Sequence, residues 1–144
     1  MFVSGVILQH YAVKFIGGLV SVIHTTRGNV KIIENALTDR GSKYAVSGGP
    51  VATLEEAKAF VKTLCRNKKF AKATHNTWAV ILPDGTPVKN DDGESGAGMV
   101  ILRMLEREER TGEIIVVTRW FGGTKLGGDR FRRVQDAVRV WFAD

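Results

Sequence analysis

IIVVTRWFGGTKLGGDRF, residues 114–131, is the stretch that decides the fold. It opens with an apolar run, Ile114–Val117, which predicts a strand over residues 113–118 that is buried on both faces. Two glycine pairs follow, and glycine permits backbone conformations and close approaches that other residues do not. An apolar stripe at helical spacing then predicts a last helix, with Asp129 as its cap. The stretch is therefore predicted to form a strand, a glycine loop and a helix.

The glycine loop places basic residues at the start of this predicted helix. A helix N-terminus presents free N–H groups and a partial positive charge, which suit a phosphate or a carboxylate. We therefore expect an anion site at Gly127–Arg130, beside Lys125. The Gly-Lys-Ser/Thr order of a P-loop is absent. A glycine turn that only closes the fold is the alternative interpretation.

The other elements indicate an α+β fold, a mixed sheet with helices packed on it. Strands are predicted first and are followed by alternating helices and strands. A capping-box sequence at Thr53–Glu56 begins one helix, and Ser95 is the expected cap of another. The predicted strands cover residues 30–37, 43–47, 77–82 and 113–118, and the first two helices lie near residues 54–66 and 96–109.

Residues 1–29 are interpreted as an N-terminal extension to a domain of residues 30–144. Within the extension, Tyr11–Ile16 and Leu19–Ile23 flank a Gly-Gly pair, which is typical of a β-hairpin. Terminal disorder is the alternative.

Composition and charge limit the function classes. A length of 144 residues fits one domain with a real core, and the single cysteine, Cys65, fits a reducing compartment. Polar residues interrupt the apolar segment 2–23, which disfavours a membrane span, and no positive region precedes an apolar core as in a secretory signal. We therefore expect a cytoplasmic protein.

The net charge of +6 is unevenly distributed, because residues 1–84 carry 11 Lys and Arg against 5 Asp and Glu, while residues 85–144 are balanced. Part of the excess forms a basic patch of Arg66, Lys68, Lys69 and Lys72. Such a patch suits nucleic acid or an acidic protein face, and a solvated surface is the alternative.

Two further groups could carry chemistry. Asp91-Asp92-Gly93-Glu94 places three carboxylates in a loop before a helix, and such oxygen ligands could hold Mg²⁺ or Ca²⁺, although the spacing of an EF-hand is absent. His75-Asn76 precedes a strand and could act in acid–base chemistry or simply bond to the backbone. No catalytic residue, metal site or cofactor is predicted. Trp120 and Phe121, flanked by arginines, could anchor a protein or stack on bases, or belong to the core.

Four segments together resemble the IMPACT family, the "imprinted and ancient" proteins grouped with the bacterial YigZ-like proteins. They span about residues 36–142 in family order, and the last is the most specific. The segments are Leu37–Tyr44, Asn67–Asn76 (Asn67-Lys68-Lys69 and Ala73-Thr74-His75-Asn76), Asp91–Gly98 and Val116–Phe131. The short acidic segment and the ending Gly-Gly-Asp-Arg-Phe look like the eukaryotic branch.

The resemblance implies a fold like ribosomal protein S5 domain 2, and a role in translation and stress response. Eukaryotic relatives bind the activator of the kinase that phosphorylates the alpha subunit of initiation factor 2, and so restrain the kinase. Three departures stand out. Residues 1–35 are too short for the RWD domain of eukaryotic members. The sequence stops right after its last predicted helix, where bacterial members carry a ferredoxin-like domain, and Phe121 replaces the usual tyrosine.

Combining the residues with the resemblance, we expect a non-catalytic domain that binds a protein partner in translation control. An RNA- or nucleotide-phosphate-binding protein that uses the glycine loop and the basic patch is the alternative, and a metal-dependent hydrolase is the third. The expected binding residues are His75, Asn76, Asp91, Asp92, Glu94, Arg119, Trp120, Phe121, Gly122, Gly123, Lys125, Gly127, Gly128, Asp129 and Arg130.

Overall fold

A computed structural model describes residues 10–16, 19–26 and 30–144 of the chain, with side chains over residues 30–144. The strands are β1 His10–Ile16, β2 Leu19–Thr26, β3 Val30–Asp39, β4 Ser42–Pro50, β5 His75–Ile81, β6 Pro87–Asn90 and β7 Glu113–Trp120. The helices are α1 Leu54–Leu64, α2 Lys68–Ala71, α3 Ala97–Arg107 and α4 Asp129–Ala143. The α+β class is confirmed.

The described strands form one sheet in the order β1-β2-β3-β4-β7-β5-β6. We expected a mixed sheet, and this was wrong, because every strand pair described is antiparallel. The reason is the position of β7. The connection through α1 and α2 makes β4 and β5 run in the same direction, but β7 lies between them and is antiparallel to both.

Helices cover both faces of this sheet, and β7 contributes to both cores. Ile115 and Val117 belong to the core under α3 and α4, while Ile114 and Val116 belong to the core under α1 and α2. The prediction that this strand is buried on both faces is therefore confirmed. Its central position means that the residues just after it reach the end of the sheet between the two helical layers.

The helix starts agree with the sequence at α1 and differ at α3 and α4. Thr53 caps α1 and its hydroxyl accepts a hydrogen bond from the Glu56 N–H, as the capping box predicted. Ser95 does not cap α3, because Gly96 stands at that position in a left-handed conformation with φ 89°. Asp129 is the first residue of α4 rather than its cap. The short elements α2 and β6 were not predicted.

The N-terminal strands extend the sheet beyond β3. β1 pairs with β2 from His10 opposite Thr25 to Ile16 opposite Leu19, and β2 pairs with β3. Gly17 and Gly18, where a hairpin turn was predicted, lie outside the described residues, and the division into an extension and a domain stays a prediction. In the described part of the chain, no helix is long and apolar enough to cross a membrane.

Candidate functional site

A row of facing residues across three strands is the base of the site. Arg119 near the end of β7 lies opposite Tyr44 of β4 on one side and His75 of β5 on the other. Directly opposed residues of neighbouring strands present their side chains on the same face of a sheet. Tyr44 belongs to the core under α3 and α4, so the row faces those helices.

Arg119 forms a buried ion pair with Glu94. Its Nη1 lies 3.2 Å from Oε1 and 3.1 Å from Oε2 of Glu94, and each residue is only 5% exposed. The Nε and Nη2 of Arg119 donate to the Ser42 hydroxyl at 3.4 and 3.3 Å. A buried charge is tolerated when it is paired and its hydrogen-bonding groups are satisfied. The acidic segment and β7 are therefore joined by this pair.

Two more basic side chains approach Glu94 and complete what we call the Glu94 cluster, namely His75, Glu94, Arg119 and Arg130. His75 Nε2 and Arg130 Nε lie 3.6 and 3.7 Å from Glu94 Oε2. His75 Nδ1 is 2.8 Å from the Asp92 carbonyl oxygen. Since a carbonyl only accepts, the bond assigns the hydrogen to Nδ1 and turns Nε2 toward Glu94.

The other two carboxylates of the acidic segment bond to backbone N–H groups. Asp91 accepts hydrogen bonds from the N–H groups of Gly96 at 3.0 Å and Gly98 at 2.8 Å. Asp91 therefore caps the start of α3, the role that was expected of Ser95. These bonds, the one from Gly96 foremost, hold the pKa of Asp91 below its usual value. Asp92 accepts from the Asn76 N–H at 2.7 Å and fixes the start of β5.

The remaining binding residues predicted around β5 and β7 are divided between the two faces. Asn76 faces α2, where its Oδ1 accepts from the Thr118 hydroxyl and its Nδ2 donates to the Phe70 carbonyl. Trp120 is half-buried, packs edge-on against Phe70 with ring centroids 5.2 Å apart, and donates through Nε1 to the Lys69 carbonyl. Trp120 therefore has a role in the core.

Phe121 has the opposite character, since in the described part of the chain it is the exposed large apolar side chain, at 47%. Its backbone N–H donates to the Thr74 hydroxyl at 2.9 Å, and its ring lies 5.7 Å from the Arg119 guanidinium carbon. A cation at this distance from an aromatic face attracts it. Phe121 is therefore held by a hydrogen bond from its backbone N–H and by the Arg119 guanidinium near its ring.

The glycine loop, residues 121–128, contacts the β3–β4 turn. A Cβ on Gly122 would lie 1.9 Å from the Gly41 carbonyl carbon, so only glycine fits there. Gly123 and Gly127 have φ values of 95° and 59°, in the region that favours glycine. Gly128 has no such requirement, because a Cβ there would meet nothing within 4 Å.

At Gly127–Arg130, where an anion site was expected, some of the backbone N–H groups already donate hydrogen bonds within the protein. The Asp129 N–H donates to the Leu126 carbonyl at 3.1 Å, and the Arg130 N–H donates to the Gly127 carbonyl at 3.2 Å. The Asp129 carboxylate lies 2.7 Å from Arg40 Nη2. Lys125 is exposed and has no partner among the described residues. Two of the expected N–H donors are thus used in the turn.

Arg40 joins the β3–β4 turn to the start of α4. Besides Asp129, it donates to Asp39 from Nε and Nη2, each at 3.1 Å, and these bonds lower the pKa of Asp39 and raise that of Arg40. Arg133 Nη1 lies 3.4 Å from Asp39 on the other side. These contacts were not predicted, since they connect positions about ninety residues apart.

The basic patch lies on the other face of the sheet, at the junction of α1 and α2. Lys69 is paired there, with its Nζ 2.6 Å from Glu34 and 5.4 Å from the centre of the Trp120 ring. Arg66, Lys68 and Lys72 are exposed, and no acidic group pairs with them among the described residues. The structure therefore separates the basic patch from the Glu94 cluster.

Sequence reasoning missed three side chains that hold the site together: Ser42, Tyr44 and Thr74. All three lie within segments that carried the family resemblance, which was the available signal. Tyr44 is fully buried, its hydroxyl has no hydrogen-bond partner among the described residues, and burial raises its pKa to about 12. Asp, Glu, His and Cys side chains nowhere form a group of three suited to a metal ion within residues 30–144.

Residues 40–141 match the family described as the Impact N-terminal domain. The chain belongs to the IMPACT family. It is 35% identical to the Protein IMPACT homolog of Schizosaccharomyces pombe over 107 residues, which are 72% of this chain and 38% of that protein. It is 35% identical to Protein IMPACT of Rattus norvegicus, over 72% of this chain and 34% of that protein. It is 34% identical to the Protein IMPACT homolog of Caenorhabditis elegans, over 75% of this chain and 45% of that protein.

The chain thus spans less than half the length of these IMPACT relatives. Among solved structures, a hypothetical protein matches with a TM-score of 0.60 at 21% identity, over 92% of this chain and 57% of that one, which supports the fold. The two-domain translational regulator Yih1 matches with a TM-score of 0.47 at 34% identity, over 72% of this chain and 42% of that one.

The first prediction concerns the buried ion pair. Glu94→Gln removes the negative charge that compensates Arg119, so we expect the free energy of unfolding to fall by about 3–5 kcal/mol in urea denaturation. Glu106→Gln is the control, because Glu106 is exposed on α3 and has no partner among the described residues. It should change stability by less than about 0.5 kcal/mol. Equal effects of the two substitutions would contradict the prediction.

The second prediction concerns Asp91 and pH. Because its pKa is lowered in the folded state, its charge stabilises the fold above the pKa of the unfolded chain, and this contribution is lost as pH falls through the folded pKa. We expect Asp91→Asn to cost about 1 kcal/mol at pH 7, as the loss of a helix cap does. The difference from the wild type should shrink on acidification below about pH 4. A difference that stays constant in urea denaturation from pH 7 to 3 would refute this.

Proposed function

We propose that this chain is a non-catalytic binding domain that regulates translation initiation through protein contacts. The observation that carries the proposal is Phe121, an exposed ring whose position is already fixed by Thr74 and Arg119. Aromatic side chains dominate the energy of many protein interfaces. Since this ring is already ordered, a partner does not have to immobilise it, which favours binding.

The site also favours binding over catalysis through the roles of its carboxylates. Asp91 and Asp92 accept backbone N–H groups, and Glu94 is paired with Arg119. Each therefore has a structural task. A hydrolase would need at least one of them to reach a substrate or an activated water. This supports an adaptor or regulator in preference to the metal-dependent hydrolase.

The translational part of the proposal comes from the family. The IMPACT resemblance implies contact with the activator of the kinase that phosphorylates the alpha subunit of initiation factor 2, in the cytoplasm. The related Yih1 is described as a translational regulator. We infer that this chain contacts the same pathway and restrains the kinase.

The third prediction tests this function. In pull-downs of the kinase activator by the full chain, Phe121→Ala should weaken capture about thirty-fold, which corresponds to about 2 kcal/mol. Lys58→Ala is the control, because Lys58 is exposed on α1, under the opposite face of the sheet, and has no partner among the described residues. It should leave capture unchanged. Thermal melts of both variants must show a folded protein.

Cells that overproduce the wild type should show less phosphorylated initiation factor 2 during amino-acid starvation, and cells with Phe121→Ala should not. Trp120→Ala is unsuitable for this test. The half-buried Trp120 contacts Phe70, so its substitution should lower the stability of the fold. No capture of the activator by the wild type, or equal capture by Phe121→Ala, would count against the proposal.

RNA binding is the second candidate function, and the unpaired basic residues on α1 and α2 favour it. Arg66, Lys68 and Lys72 are exposed, as are Lys58 and Lys62 on α1, and none has an acidic partner among the described residues. Free cations grouped on one face are the usual footprint of phosphate contacts.

The fourth prediction tests RNA binding. Arg66→Ala combined with Lys68→Ala should reduce the slope of log affinity against log salt by about two units. Lys69 is left intact, because it holds Glu34 and Trp120. The double variant Arg132→Ala with Arg139→Ala, on α4, is the control and should leave the slope unchanged. An unchanged slope in both variants would remove the RNA interpretation.

A further inference from the structure

A groove of about 290 Å³ runs between α3 and α4, on the face of the sheet that carries the Glu94 cluster. Met99 and Val100 of α3 and Phe131 of α4 form its apolar walls, and all three are half-buried. The volume lies at the lower limit of pockets for drug-sized ligands, about 300–1,000 Å³. It suits one apolar side chain of a partner better than a free small molecule.

Two unpaired arginines border this groove. Arg103 and Arg107 are four residues apart on α3, so they lie one above the other on the same side of the helix. Both are exposed, and neither has an acidic partner within the part of the chain that the structure describes. Other arginines nearby have an acidic partner within the protein, as Arg119 and Arg130 have in the single carboxylate of Glu94. The two at the groove keep free charge.

The groove begins at the Glu94 cluster. The Arg130 guanidinium carbon lies 4.3 Å from the centre of the Phe131 ring, while Arg130 Nε is 3.7 Å from Glu94. Arg119 in turn connects Glu94 with Phe121. A chain of contacts therefore runs from the exposed Phe121 ring to the apolar walls of the groove.

We propose that the α3–α4 groove binds an acidic peptide segment of a protein partner. An apolar side chain of the segment packs between Met99, Val100 and Phe131, and two of its carboxylates pair with Arg103 and Arg107. Grooves between helices commonly take peptides in this way, with apolar anchors inside and charges at the rim. The proposal rests on the proposed protein-binding function and adds the chemistry of the partner.

The experiment selects peptides from a random 12-residue display library on the immobilised full chain. Enriched peptides should carry one large apolar residue and at least two Asp or Glu. The double variant Arg103→Ala with Arg107→Ala should bind synthetic copies of them about tenfold more weakly, which is about 1.4 kcal/mol. Arg103→Glu with Arg107→Glu should prefer copies in which Lys replaces the acidic residues.

Lys58→Ala with Lys62→Ala is the matched control, since these residues have the same spacing on α1, are equally exposed, and lie on the opposite face of the sheet. It should bind the peptides as the wild type does. Enrichment of non-acidic peptides, no enrichment at all, equal loss in the α1 control, or displacement of the peptides by RNA but not by acidic peptide would overturn the proposal.

The result is separate from the test of the proposed function. Acidic peptides that depend on Arg103 and Arg107, without capture of the kinase activator, would leave the groove assigned and reject the role in the kinase pathway. Capture that depends on Phe121, without acidic peptides, would do the reverse.

Discussion

The ion pair between Glu94 and Arg119 is the interaction on which the rest of the site depends. Both groups are buried, so each is unfavourable without the other. The pair joins the acidic segment before α3 to the end of the central strand β7. Once it is made, Asp91 and Asp92 are in place to bind the start of α3 and the start of β5, and the Phe121 ring lies against the Arg119 guanidinium. The order of the exposed surface thus follows from a buried contact.

A steric constraint acts on the other side of Arg119. The backbone of the glycine loop touches the β3–β4 turn at Gly122 and Gly41, closer than any side chain would allow. This approach lets the Ser42 hydroxyl accept hydrogen bonds from both Arg119 and the Gly122 N–H. Gly122 therefore serves the packing of two loops, while Gly123 and Gly127 provide a positive φ and Gly128 is an open position.

The sequence predicted what depends on neighbouring residues. Helix α1 follows from its capping box and β7 from its apolar run, and both are confirmed. The cap of α3 was wrong because the acceptor is Asp91, five residues before Gly96, whose position depends on the fold of the whole acidic loop. The expectation of a mixed sheet was wrong because strand order is non-local, and nothing in the local sequence pattern places β7 between β4 and β5. The exposure of Phe121 and the partial burial of Trp120 likewise depend on distant parts of the chain, since Trp120 packs against Phe70 of α2 while Phe121 lies beyond the end of β7.

The distribution of charge is our reason for proposing a protein partner, and not a phosphate, at the glycine loop. Arg119 and Arg130 share the single carboxylate of Glu94, and Arg40 pairs with Asp39 and Asp129, so these arginines around the loop already have acidic partners within the protein. Two N–H groups that an anion would need donate to turn carbonyls instead. This end of the sheet presents the exposed Phe121 ring, which contacts with Thr74 and Arg119 hold in place. Basic side chains without an acidic partner among the described residues lie mainly elsewhere, at the basic patch around α1 and α2 and along α3 at Arg103 and Arg107. In our proposals, the partner of each of these surfaces brings the negative charge itself.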